Sequence, residues 1–261
     1  MLYPLFGSPR LPKTEKSQQR KIDLSGTVVR FSVPPYSAKW GTGTEHSSHF
    51  NLYDQNEYLL PDEKFPFIEC FRTRWDILGT PVIQSKRGWI RLSVSILKMK
   101  ENSNNSQNKE FEGNLKHFYI TQYGPKSANR NSFETLLDWS GDNINSQAWA
   151  HYRILENSDD APSHTLMWEA PITNQHILSF SFYYQNFPNC GSVHNAVKSF
   201  AQKIMHSVHV ELSPSAQQQK EAAEKQWPGQ RYSEHMEPLR WIRPKKDFMS
   251  IEEFLAEDDE P

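Results

Sequence analysis

The chain has 261 residues, with 29 lysines and arginines against 31 aspartates and glutamates, a formal net charge of −2. That near balance gives no general argument for nucleic-acid binding, which depends on a concentrated basic surface; the length is ample for one large core with extensions. Aromatic residues at 13% exclude a disordered chain, and two cysteines, Cys70 and Cys190, are too few for a disulfide framework.

Taken in chain order, residues 1–24 mix Pro, Ser, Lys and Gln and read as an N-terminal arm. Residues 27–33 read as a strand, with Val29, Phe31 and Val33 on one face and Arg30 and Ser32 on the other, stopped by Pro34 and Pro35. Residues 36–66 read as a long loop with a short strand near 50–53, and 68–75 as the next strand. Residues 88–99 give the clearest alternation: Ile90, Leu92, Val94 and Ile96 on one face, Arg91, Ser93 and Ser95 on the other. The Asn- and Ser-rich stretch 101–112 reads as an exposed excursion, 115–123 as a strand, and 131–140 as a short helix closed by Gly141.

Three alternating strands are expected at 148–155, 164–170 and 176–184, joined by connections short enough for antiparallel pairing. A helix over 192–208 follows, capped by Ser192, with Val193, Val197, Phe200, Ile204 and Val208 on one buried stripe. Residues 208–212 return to the sheet, and 213–227 form a second helix with little to bury except Trp227. The remainder holds Phe248, Ile251 and Leu255 at helical spacing and an acidic tail of Glu252, Glu253, Glu257, Asp258, Asp259 and Glu260. The pattern implies an α+β fold: one antiparallel sheet with helices on its apolar face over 25–212, and a partly helical C-terminal extension over 213–261.

The catalytic and metal motifs are missing. His46 and His49 lie three apart without a second acidic or Cys ligand, His151, His164 and His176 fall near strand ends, and there is no HExxH, GxSxG or phosphate-binding glycine loop. Cys70 reads as a buried, inert thiol within a strand, and Cys190 as a loop cysteine before a helix. Arg240, Arg243, Lys245 and Lys246 surround Trp241, a patch too small and too close to the acidic tail to indicate nucleic acid. The expectation is therefore no catalytic residue, no metal, no cofactor and no nucleic acid. The opening Met-Leu-Tyr-Pro-Leu-Phe-Gly is too short for a signal peptide, and no apolar run reaches the length of a membrane span, so a cytoplasmic location without membrane insertion is expected.

The strand 176–184 followed by the helix Ala-Val-Lys-Ser-Phe-Ala-Gln-Lys-Ile-Met-His-Ser-Val resembles the closing unit of the DcrB-like and PsbP-like α/β/α sandwich group, over residues 27–212. That group includes immunity proteins of bacterial type VI secretion systems. The resemblance implies a non-enzymatic protein that binds one protein partner, in its most specific form a toxin effector, and neutralises it. The alternatives are a hydrolase with a site outside the known motifs, or a structural or assembly component. Aromatic side chains favour binding centres, which nominates Tyr36, Trp40 and Tyr53 in the first long loop, and Trp241, Phe248 and Phe254 in the extension, as partner-binding residues.

Overall fold

Period-two alternation dominates the chain, and the structure, a computed structural model, is accordingly mostly β-sheet. It describes residues 9–37, 47–61, 63–79, 86–125, 131–157, 162–186 and 191–242. In order these form β1 (Gln18–Leu24), β2 (Thr27–Val33), β3 (His49–Phe50), β4 (Phe67–Leu78), β5 (Lys86–Lys98) and α1 (Asn108–Tyr123). Then come β6 (Ser132–Ile144), β7 (Gln147–Asn157), β8 (Ser163–Pro171), β9 (His176–Asn186), α2 (Gly191–Met205), β10 (His209–Glu211), α3 (Pro214–Gln226) and β11 (Leu239–Trp241).

The expected single sheet is two. The smaller has the order β10-β2-β1-β3 and the larger β11-β6-β7-β8-β9-β5-β4. Every pairing is antiparallel except the short β1–β3 contact. Two sheets and three helices among the described residues are consistent with an α+β class. The meander β6–β9 lies beside β5, so the chain crosses from β5 to the far side of the sheet through α1 before returning strand by strand.

Alternation gives the large sheet two different faces. One carries Ile90, Leu92 and Val94 of β5, Phe180 and Phe182 of β9 and Leu166 and Trp168 of β8 into the main core, which also takes Phe31 of β2 and Val197, Phe200 and Ile204 of α2. Phe31 meets Phe71 and Phe180 edge-on at 5.4 and 5.3 Å, and Phe200 meets Trp75 at 5.1 Å. Such pairs contribute about 0.5–1.5 kcal/mol each beyond the area they bury. On the opposite face a second cluster joins Phe111, Leu115 and Tyr119 of α1 to Leu136, Ala150, Tyr152 and Ile177.

Two segments exchange their expected structures. Residues 115–123 are helical, because Phe111, Leu115 and Tyr119 recur at spacing four and are all buried. Residues 132–144 are a strand. β6 carries register shifts between Glu134 and Leu137 and between Leu137 and Ser140, and Leu136 and Asp138 sit at φ +58° and +55°. Each bulge inserts a residue, so buried Phe133, Leu136 and Trp139 fall three apart and imitate a helical stripe. Gly141, expected to close a helix, lies in β6 against Tyr232. Within the segment read as an arm, Gln18–Leu24 pairs along its whole length with β2.

The α2 stripe is buried at Val193, Val197, Phe200 and Ile204; the side chain of Ser192 lies outside the described residues. Ser213 caps α3, its hydroxyl accepting from the Ala216 amide at 3.3 Å, and α3 buries only Ala216 and Ala223. The helix expected around Phe248, Ile251 and Leu255 lies outside the described residues. No helix among the described residues is long and apolar enough to cross a membrane.

Candidate protein-docking surface

The polar face of the large sheet is built where β4, β5 and β9 run side by side. Arg74 of β4 lies opposite Arg91 of β5, and Arg91 lies opposite Tyr183 of β9. Trp89, two residues before Arg91, shares its face. The four side chains interleave. The Arg74 guanidinium sits 4.1 Å from the centre of the Trp89 ring, the Trp89 and Tyr183 rings are 5.0 Å apart, and the Arg91 guanidinium is 5.1 Å from the Tyr183 ring.

Two arginines directly opposed across a strand pair repel, and such pairs destabilise sheets. Here cation–π contact offsets part of that cost, at about 0.5–2 kcal/mol per pair. The nearby carboxylates are committed elsewhere. Glu69 binds Arg72 at 2.7 Å and accepts from the Ser93 hydroxyl at 3.3 Å, and Asp76 lies 2.9 Å from the Lys86 ammonium. The Arg74 Nε is buried without a hydrogen-bond partner. Burial, with Arg72 and then Arg74 adding like charge, pulls the Arg91 guanidinium below its ordinary range. The arrangement is a half-buried cationic ladder with rigid aromatic rungs.

Of the six residues nominated from the sequence, the three that are described, Tyr36, Tyr53 and Trp241, stand apart from one another. Trp40, Phe248 and Phe254 lie outside the described residues. Tyr36 is half-buried and lies beside the ladder: the next amide, Ser37, donates to the Arg74 carbonyl at 3.4 Å, and the Trp75 indole donates to the Pro35 carbonyl at 3.0 Å. Tyr53 is 63% exposed, edge-on to His176 at 5.9 Å, about 23 Å along β9 from Tyr183. Trp241 is half-buried in β11, near Tyr123 at 6.5 Å. It stands at the opposite edge of the sheet from β4, about 29 Å away across six strand spacings. Arg240, part of the basic patch beside it, pairs with Glu134 at 2.9 Å.

The sequence reading passed over Trp89 and Tyr183. The signal was present, since both alternate with the apolar faces of β5 and β9 and Arg91 stood among the residues of the polar face. What was missing was the register that sets Arg74, Arg91 and Tyr183 in one row.

The other sequence candidates are accounted for locally. Cys70 is buried, and burial together with the Glu69 and Glu57 charges pushes its thiol far up, away from the nucleophilic thiolate. Cys190 and His46 lie outside the described residues. No group of three or more potential metal ligands occurs among the described residues. A cleft of about 380 Å³ between α3 and the β6–β7 turn, lined by Gln147, Ile172, Lys220, Trp227 and Tyr232 among others, holds neither histidine nor cysteine.

No family model matches the sequence, and no curated protein matches it. Among solved structures, that of LpqN, described as involved in cell envelope biogenesis of Mycobacterium tuberculosis, is similar over 76% of this chain and 92% of its own, at 8% identity and a TM-score of 0.38. At that score the likeness carries no argument about function, and these comparisons lend no support to the DcrB-like and PsbP-like grouping or to an immunity role.

Proposed function

We propose that this is a protein-binding protein, and that its docking surface is the ladder of Arg74, Trp89, Tyr183 and Arg91. The observation that carries the reading is the pair of opposed guanidiniums held on aromatic rings, with the neighbouring carboxylates already committed. Arg, Trp and Tyr are the residue types that dominate binding energy at protein interfaces. Stacking fixes the guanidiniums before a partner arrives, which lowers the entropy lost on docking. The complementary partner is an acidic protein segment, whose carboxylates engage arginine in charge-assisted, often bidentate hydrogen bonds. Nucleic acid fits less well: single strands bind by stacking bases on open aromatic faces, and here guanidiniums lie over both rings.

In its narrower form the partner is a toxin effector acting in the cytoplasm and this protein neutralises it. The experiment is affinity capture from the native cell at physiological salt, with wild-type protein, the double variant Arg74→Glu/Arg91→Glu, and a control reversal at Lys225. A partner retained by wild type and control but lost with the double variant, while the unfolding midpoint is unchanged, supports the reading. The same set of proteins on all three would sink it. Assaying the captured partner with and without this protein tests neutralisation.

A further inference from the structure

The opposite face of the large sheet carries a second cluster that the docking surface does not use. Asp138 of β6 accepts from Arg153 Nε of β7 at 2.8 Å, and Arg153 Nη1 lies 3.5 Å from Nδ1 of His164 on β8. The His164 ring stacks on Tyr184 of β9, centres 5.1 Å apart and 18° from parallel. The Tyr184 hydroxyl hydrogen-bonds Nδ1 of His194 on α2. The two imidazoles are 6.1 Å apart. Asp138 holds its place at a left-handed φ in the doubly bulged β6; strained positions of this kind persist where the surrounding structure fixes them.

The contact with Arg153 sets the tautomer of His164. A guanidinium has donors only, so His164 Nδ1 presents its lone pair to Arg153 and carries its proton on Nε2. The Tyr184 phenol, kept protonated by burial, is able to donate to His194 Nδ1, and in that tautomer the second imidazole also carries its proton on Nε2. Neither Nε2–H has an acceptor among the described residues. Asp138 engages Arg153 only through Nε. Lys198, one turn beyond His194 on α2, adds a further donor on the same helical face. The cluster therefore offers donors from three elements against one carboxylate, Asp138, whose charge Arg153, Lys198 and His194 share.

We propose that His164, His194 and Arg153, with Lys198 at the rim, bind an oxyanion group, a phosphate or a carboxylate. Rings 6.1 Å apart are close enough for one such group to accept from both Nε2–H donors at about 2.8–3.0 Å. The charges around the two imidazoles are Asp138 and Asp142 from β6, Arg153 and His151 from β7 and Lys198 from α2. Asp142 accepts from the Trp168 indole, and His151 stacks on the same ring. Burial, then Arg153 and His194, push His164 down to about 4, and burial, then Arg153 and Lys198, lower His194. A bound anion reverses the sign of the local charge, so binding raises both and is accompanied by proton uptake.

The test is nitrogen NMR of the imidazoles in the full-length, 15N-labelled protein, titrated at slightly acid pH with inorganic phosphate, acetate and phosphoserine in separate arms. The expected result is a saturable shift of His164 and His194 in at least one arm, with both titrating at higher pH when saturated. Lys198→Ala and Arg153→Gln each weaken binding about tenfold, the loss of one charge-assisted contact. Preference for phosphate or phosphoserine over acetate identifies a tetrahedral ligand, and tighter binding of phosphoserine than of free phosphate identifies a phosphorylated molecule as its source. No saturable shift in any arm, or shifts that Lys198→Ala and Arg153→Gln both leave unchanged, would overturn the assignment.

Discussion

Glu169 sits fully buried between α1 and the large sheet, where hydroxyl groups are its hydrogen-bond donors. Tyr152 donates to one carboxylate oxygen at 2.5 Å and Ser179 to the other at 2.6 Å, while the Tyr152 and Tyr119 hydroxyls meet at 2.6 Å. Burial raises its carboxyl above the ordinary range, and the two hydroxyl donors hold it down in part. Removing the acceptor strands both donors, so Glu169→Ala is expected to cost about 2–3 kcal/mol in urea unfolding. Glu169→Gln keeps an acceptor oxygen, and its cost should be smaller by at least half; equal losses would place the effect in packing instead. His176, held by the Thr173 hydroxyl at 2.7 Å, and His164 give the acid limb of stability. Burial first, then Lys98 for His176 and Arg153 for His164, push both imidazoles down to about 4 from 6.5. The unfolded chain binds these protons and the folded chain resists them, so stability is full above pH 6.5 and is lost as pH falls from 6.5 toward 4. Denaturant midpoints measured at neutral pH and near the lower value should show that decline, with a shallower slope in His176→Leu.

At the scale of elements, the strands whose apolar residues alternate without interruption were legible from the sequence. In β2, β8 and β9, and in β5 from Gly88 onward, the period of two survives because every residue keeps its register. The helix α2 was legible for the matching reason, an uninterrupted stripe at spacings of three and four. The failures have physical causes. In α1, Phe118, Tyr119, Ile120, Thr121 and Tyr123 crowd β-favouring side chains into a helix that tertiary burial of Phe111, Leu115 and Tyr119 enforces. In β6, two bulges break the alternation. Leu115→Ala should therefore cost about 2–5 kcal/mol, a core loss that a surface strand would not show. The β6–β7 turn places Asn145 and Ser146 at φ +49° and +66°, a pair of left-handed positions that suits Asn-Gly. Ser146→Gly is expected to stabilise by about 0.5–1 kcal/mol, read as a raised thermal midpoint. Asn145→Ala should act oppositely, because its amide donates to the His206 and Val208 carbonyls at 3.1 and 2.7 Å and ties the turn to the end of α2.

Across the whole molecule, the large sheet separates two surfaces by alternation alone. Its ladder face combines Arg74 and Arg91 with Trp89 and Tyr183, and its core face carries the Arg153, His164 and His194 cluster at the side of α2. Composition could not announce either one, because a chain of net charge −2 conceals a local excess of guanidinium that only strand register assembles. Of the aromatic residues nominated in loops and tail, the described Tyr36, Tyr53 and Trp241 stand apart from one another, whereas Trp89 and Tyr183 on the polar face of β5 and β9 stand together. The most direct measurement is calorimetric titration of the purified partner against wild-type protein and Arg91→Ala. The account predicts that losing this guanidinium weakens binding about thirtyfold or more, the loss expected at an interface hot spot, with the thermal midpoint not lowered and the wild-type affinity falling as salt rises. An affinity within about threefold of wild type, below the loss that marks a hot spot, would contradict it.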